Sequence, residues 1–147
     1  MTLKAQISED MKTAMRAKDS VRLGTIRLLQ SAIKQREVDE RIELNDGDVI
    51  AVIEKMLKQR RDSIAAFESA NRTDLADIEK FEVTVLQGYL PQQLTEDEIK
   101  AILDQVVADT GAEGVKDMGK VMAAIKPLVA GKAEMGKISG LIKARLA

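Results

Sequence analysis

Apolar residues recur every three or four positions along most of the chain, and no stretch alternates apolar and polar with period two. That is the pattern of amphipathic helices, not strands. Leu3, Ile7, Met11, Ala14 and Met15 mark a first helix ending near Ala17 or Lys18, after which Asp19 or Ser20 caps a second. Val21, Arg22, Ile26, Leu29, Ile33 and Val38 carry the stripe of that second helix until Asn45-Asp46-Gly47-Asp48 interrupts it with turn formers. A third helix, striped by Val49, Val52, Ile53, Met56, Arg60, Ile64 and Phe67, is expected to run to about Ala70. After the turn at Asn71–Asp74 a fourth is expected from Leu75 to Leu90, with Leu75, Ile78, Val85, Leu86 and Tyr89 on its seam.

Beyond Leu90 the punctuation changes. Of nine glycines only Gly24, Gly47 and Gly88 precede that point, and the two prolines are Pro91 and Pro127. Both residue types interrupt helices, so long helices give way to short ones at a boundary near Pro91. Thr95-Glu96-Asp97-Glu98 has the reciprocal capping-box form and is followed by Ile99, Ile102, Leu103 and Val106 at helical spacing, with Gly111 at the end. Two short helices follow, about 117–126 and 133–146, separated by Pro127 and Gly131. The expectation is an all-α protein of two helical domains, a four-helix N-terminal part over residues 1–91 and a small three-helix domain over residues 92–147.

Composition narrows the chemistry. The 147 residues include no His, Cys or Trp, so disulfides, zinc and iron–sulfur sites, thiol nucleophiles and imidazole bases are excluded. No metal or cofactor is expected. The 24 acids mark no pocket, and no catalytic residue is nominated. There is no long apolar run and no apolar signal core behind Met1-Thr2-Leu3-Lys4, which predicts no membrane span and a cytoplasmic protein. Net charge is −1, yet residues 111–147 hold seven basic and three acidic side chains. That tail is locally positive although the whole chain is not.

Residues 114–126 and 131–143 align at a fixed offset of 17 with six of thirteen positions identical, a likeness that shared helix-start chemistry explains more simply than duplication. Each copy opens with Gly-x-x-x-x-Gly-Lys. Val121 and Ile138 stand where a P-loop needs Ser or Thr, and the preceding pattern is helical where a strand is required, so nucleotide hydrolysis is rejected. What remains is a pair of lysine-bearing helix starts able to meet an RNA phosphate. Lys137 and Lys143 lie on opposite sides of their helix seam, and solvated surface is the simpler reading of the tail lysines. Only Phe67, Phe81 and Tyr89 are aromatic, all on or near core seams, which disfavours stacking on splayed bases. Arg60 and Glu82 each interrupt an apolar seam and form a candidate structural ion pair, with Arg22 as a competing partner. The amphipathic helices and seven methionines also suit a partner helix.

Several ordered motifs resemble the YqeY family over essentially the whole chain: Lys58-Gln59-Arg60-Arg61-Asp62-Ser63, then Phe67, Ala70, Arg72, Asp74-Leu75, Glu79 and Glu82, then Tyr89-Leu90-Pro91-x-Gln93-Leu94, and Asp117-Met118-Gly119-Lys120-Val121-Met122 with Pro127 and Gly131-Lys132-Ala133. That family is similar to the C-terminal tail of the GatB subunit of the glutamine-dependent aspartyl/glutamyl-tRNA amidotransferase. The resemblance implies two helical domains and a tail that recognises tRNA. Kinase and transamidation chemistry belong to other parts of the amidotransferase, so a carbon–nitrogen ligase with glutamine as amide donor ranks last among the readings. Carried over residue by residue, the resemblance implies RNA contact at Gly119, Lys120, Val121, Met122, Gly131, Lys132 and Ala133. Glu134 departs from the family's usual Asp, a better helix cap. The expected function is a non-catalytic accessory protein binding tRNA or a tRNA-containing complex, with Lys116, Gly119, Lys120, Gly131, Lys132 and Lys137 as the RNA-binding residues. The alternative is a helical protein–protein adaptor without RNA contact.

Overall fold

Seven α-helices and one 3₁₀ turn make up the computed structural model, which describes residues 1–147 and contains no strand. The protein is all-α. The helices are α1 (Leu3–Arg16), α2 (Ser20–Glu40), α3 (Asp46–Ser69), α4 (Thr73–Gln87), α5 (Glu96–Thr110), α6 (Met118–Val129) and α7 (Met135–Leu146), with the 3₁₀ turn at Val115–Asp117. No helix is long and apolar enough to cross a membrane. Helix starts follow the short polar residues of the sequence. Thr2, Asp19, Asn45 and Thr95 each accept a backbone amide of the first turn, and the last two form full capping boxes with Asp48 and Glu98.

Chain contacts divide the molecule into two compact units, Met1–Leu90 and Pro91–Ala147. In the first, α1 to α4 pack around Ile7, Ile26, Leu29, Val49, Ile53, Leu57 and Leu86, all at most 1% exposed. Burying one such side chain contributes roughly 1.5–3 kcal/mol. Tyr89 closes that core from just beyond α4 and donates to Asp10 Oδ2 at 2.6 Å. In the second unit, α5, α6 and α7 share a core of Ile99, Leu103, Val121, Ile125, Ile138 and Ile142. Gly111 ends α5 in the left-handed conformation (φ 67°) that its missing Cβ makes cheap.

Five seam residues need correction: Met15 of α1, which is 49% exposed, and four on α2 and α4. On α2 the buried residues are Thr25, Ile26, Leu29 and Ile33, whereas Val21 and Val38 are 58% and 59% exposed and Arg22 faces solvent beside Asp19. On α4, Ile78 is 54% exposed and Ala76 is buried in its place. A single 3.6-residue stripe cannot distinguish the face that meets a neighbour from the edge beside it. Pro127 does not end the sixth helix, which continues to Val129. Pro127 forfeits one backbone bond near the helix end, and the burial of Val129 in line with Val121 and Ile125 offsets it.

Candidate nucleic-acid interface

The second unit repeats one device twice. α6 and α7 each have 12 residues and begin 17 positions apart, at Met118 and Met135. Their buried residues hold the same offset: Val121 with Ile138, Ile125 with Ile142, and Val129 with Leu146. The second residue of each helix is an exposed glycine, Gly119 or Gly136, and the third is an exposed lysine, Lys120 or Lys137. A Cβ built on either glycine meets nothing within 4 Å. Packing inside the protein therefore does not require glycine at either position. Neither Asp117 nor Glu134 caps its helix with its side chain, unlike Thr95 in front of α5. At α6 the Met118 N–H already donates to the Val115 carbonyl of the 3₁₀ turn, whereas the start of α7 presents amides and a partial positive charge to an anion.

The other expected residues divide between surface and scaffold. Lys116 lies in the 3₁₀ turn, which packs against both α6 and α7. Gly131 is buried in the left-handed conformation (φ 72°), and its carbonyl accepts the Gln93 side-chain amide at 2.8 Å. The Lys132 carbonyl accepts the Leu94 N–H at 2.8 Å while the side chain stays exposed. These bonds hold the α6–α7 turn to the segment preceding α5, which gives Gly131 a structural task. Val121 and Ala133 are buried and Met122 is half-buried, so their place is in or beside the core.

Electrostatics favour the two short helices. Lys116, Lys120, Lys126, Lys132, Lys137 and Lys143 are exposed and make no ion pair, whereas Arg145 is taken by Asp104 at 3.0 Å. Glu113 and Glu134 are two of the three acids among them, and the third is Asp117. It accepts the Glu113 N–H at 2.9 Å, a bond that holds its carboxyl below the usual range, with Lys116 and Lys120 acting in the same direction. The ionised carboxylate offsets part of the positive field at that end. Gly136 was not among the residues expected at this site, and its signal in the sequence was the offset that equates it with Gly119.

Arg60 and Glu82 lie in the first unit. Arg60 Nε and Nη2 reach Glu82 Oε2 at 2.9 and 2.8 Å, and the side chains are 13% and 15% exposed. The pair joins α3 to α4, and Arg22 instead neighbours Asp19 at 3.9 Å. No aromatic ring is free for stacking: Phe67 and Phe81 are half-buried, and burial, followed by its bond to Asp10, raises the Tyr89 phenol above its usual range.

Comparison with known proteins gives one family. A family model described as Yqey-like protein matches residues 4–146. Curated relatives include proteins named "Altered inheritance of mitochondria protein 41, mitochondrial". The one from Lachancea thermotolerans is 39% identical over 60% of this chain and 48% of its own length. That from Kluyveromyces lactis is 38% identical over 71% and 58%, and that from Vanderwaltozyma polyspora 31% over 76% and 64%. The chain thus spans about half to two-thirds of the length of these three relatives. Their names overturn the expectation of a cytoplasmic protein. That expectation rested on a missing apolar signal core, a feature of secretion, whereas mitochondrial targeting segments are amphipathic and have no such core.

Proposed function

The chain belongs to the YqeY family, and from that premise we propose that it is a non-catalytic accessory protein that holds tRNA or another structured RNA by phosphate contacts through α6 and α7. The observation that carries the reading is the duplicated helix start. The two helix starts each present a glycine that packing does not need, next to an exposed lysine without an ion pair. Glycine lets a phosphate approach the backbone, and the lysine neutralises it. The role is compatible with the mitochondrial setting that the relatives' names give.

An electrophoretic shift of folded tRNA at low salt tests the proposal. Wild type should shift it, Lys120→Glu with Lys137→Glu should weaken the shift at least tenfold, and Lys120→Glu with Lys132→Glu should weaken it as well. Phosphate contacts carry no sequence information, so the ranking of different tRNAs should stay unchanged. No shift by wild type, or equal binding by the variants, refutes the RNA site.

A further inference from the structure

The outward face of α2 is not the charged face expected of a surface helix. With Ile26, Leu29 and Ile33 turned into the core, the 100° step of a helix sets Gly24, Leu28, Ser31 and Val38 on the opposite side. Leu28 and Val38 are 51% and 59% exposed, and Ile42, just past the helix, is 45% exposed. The positions 24, 28, 31, 35, 38 and 42 follow the four-three spacing by which one helix receives another. Gly24 sits inside a helix, where glycine is unfavourable, yet a Cβ there meets nothing within 4 Å. The fold itself has no steric need of glycine at that position.

Charge selects what approaches. Arg27, Lys34 and Arg41 recur every seven residues along one flank of this ridge, roughly 10 Å apart, and none makes an ion pair. At the far end Lys34, Val38, Arg41 and Ile42 line an open groove of about 450 Å³ together with Lys4 and the two acids that pair with it, Glu37 and Glu43. Its other lysine, Lys4, is already bound to Glu37 at 2.6 Å. We propose that this face of α2 is a docking surface for an acidic amphipathic helix of another protein, whose apolar stripe covers Leu28, Val38 and Ile42 and whose acids pair with Arg27, Lys34 and Arg41. A phosphate backbone would meet the cations but leave the aliphatic ridge wet. A second copy paired antiparallel would set the basic flank against itself. The inference stands apart from the RNA reading, since it concerns a different unit and different residues.

The probe is a fluorescein-labelled helical peptide of about 21 residues, with leucines at four-three spacing and glutamates on both flanks. Its anisotropy is followed on titration with the full chain. Binding in the range of about 1–50 μM is expected, with no binding of the same peptide carrying lysine flanks. Leu28→Gln with Val38→Gln, Arg27→Glu with Lys34→Glu, and Gly24→Gln should each weaken binding at least tenfold. All these positions are exposed, and an unchanged circular dichroism spectrum verifies the fold of each variant. No binding of the acidic peptide up to about 1 mM, or equal binding by all variants, overturns the proposal. So does loss of the tRNA shift in Arg27→Glu/Lys34→Glu, which makes the face an RNA surface. A wild-type dimer that Leu28→Gln/Val38→Gln turns into a monomer gives the face to a second copy and equally overturns it. Lys120→Glu/Lys137→Glu should bind the peptide as wild type does, so failure of the two readings is told apart.

Discussion

Glu82 leaves Arg60 with few other acceptors: besides the carboxylate, the guanidinium reaches only the Met56 carbonyl, at 3.4 Å. Replacing Glu82 by Gln keeps the shape and removes the charge from a pair that is mostly out of water. The expected cost is about 1.5–3 kcal/mol, that of a hydrogen bond to a charged group in a partly buried site. A melt of Glu82→Gln indistinguishable from wild type would sink this assignment. Gly24→Ala is expected to act in the opposite direction, stabilising by roughly 0.5–1 kcal/mol because the helix gains propensity and the added methyl meets nothing. Denaturant titration decides it, and a loss of stability contradicts the open space above Gly24. At this scale the sequence is legible where a residue breaks a pattern. Arg60 and Glu82 each interrupt an apolar seam, and spacing alone sets them on facing helices. Tyr89 and Asp10 lie 79 positions apart, and no local pattern joins them.

At the scale of elements, Glu37 ties three pieces of the first unit together. Its carboxylate takes Lys4 of α1 at 2.6 Å and the Leu44 amide, ahead of α3, at 2.9 Å. The Lys4 bond first, then the Leu44 amide, hold the Glu37 carboxyl below its ordinary 4.5. A carboxyl depressed by folding contributes stability that is complete above the unfolded value and lost as pH falls through the lower folded value. Lys4 is shifted up from 10.5, chiefly by Glu37, so its contribution is complete below that value and lost as pH rises through the higher folded one. Melting temperatures between about pH 3 and 7 should therefore fall less steeply with acid in Glu37→Gln than in wild type; parallel curves would remove Glu37 from the acid response. Element type and order are readable because caps and breakers are local: Asn45, Thr95 and Gly111 act within one turn of themselves. Pro127 misleads because tertiary burial of Val129 outweighs a local rule. The exposed faces of α2 are unreadable for the converse reason, since periodicity marks an apolar residue without telling which neighbour covers it.

For the molecule as a whole, a net charge of −1 would suggest indifference to nucleic acid, but the average conceals a separation. Within the second unit α5 carries Glu96, Asp97, Glu98, Asp104 and Asp109, whereas the segment behind it holds six lysines without an ion pair. If the second unit holds the RNA, the attraction comes from those six. Each lysine–phosphate contact releases close to one counterion from a duplex, about 0.9 on a log–log plot. The affinity for tRNA should consequently fall with salt along a slope no steeper than about −5. Removing Lys120 and Lys137 together should flatten it by about two units, and Arg27→Glu/Lys34→Glu should leave it unchanged. A steeper slope in wild type would require cations from outside α6 and α7. An unchanged slope in the lysine variant would show that the paired helix starts do not meet the phosphates, and either result moves the RNA surface elsewhere on the protein.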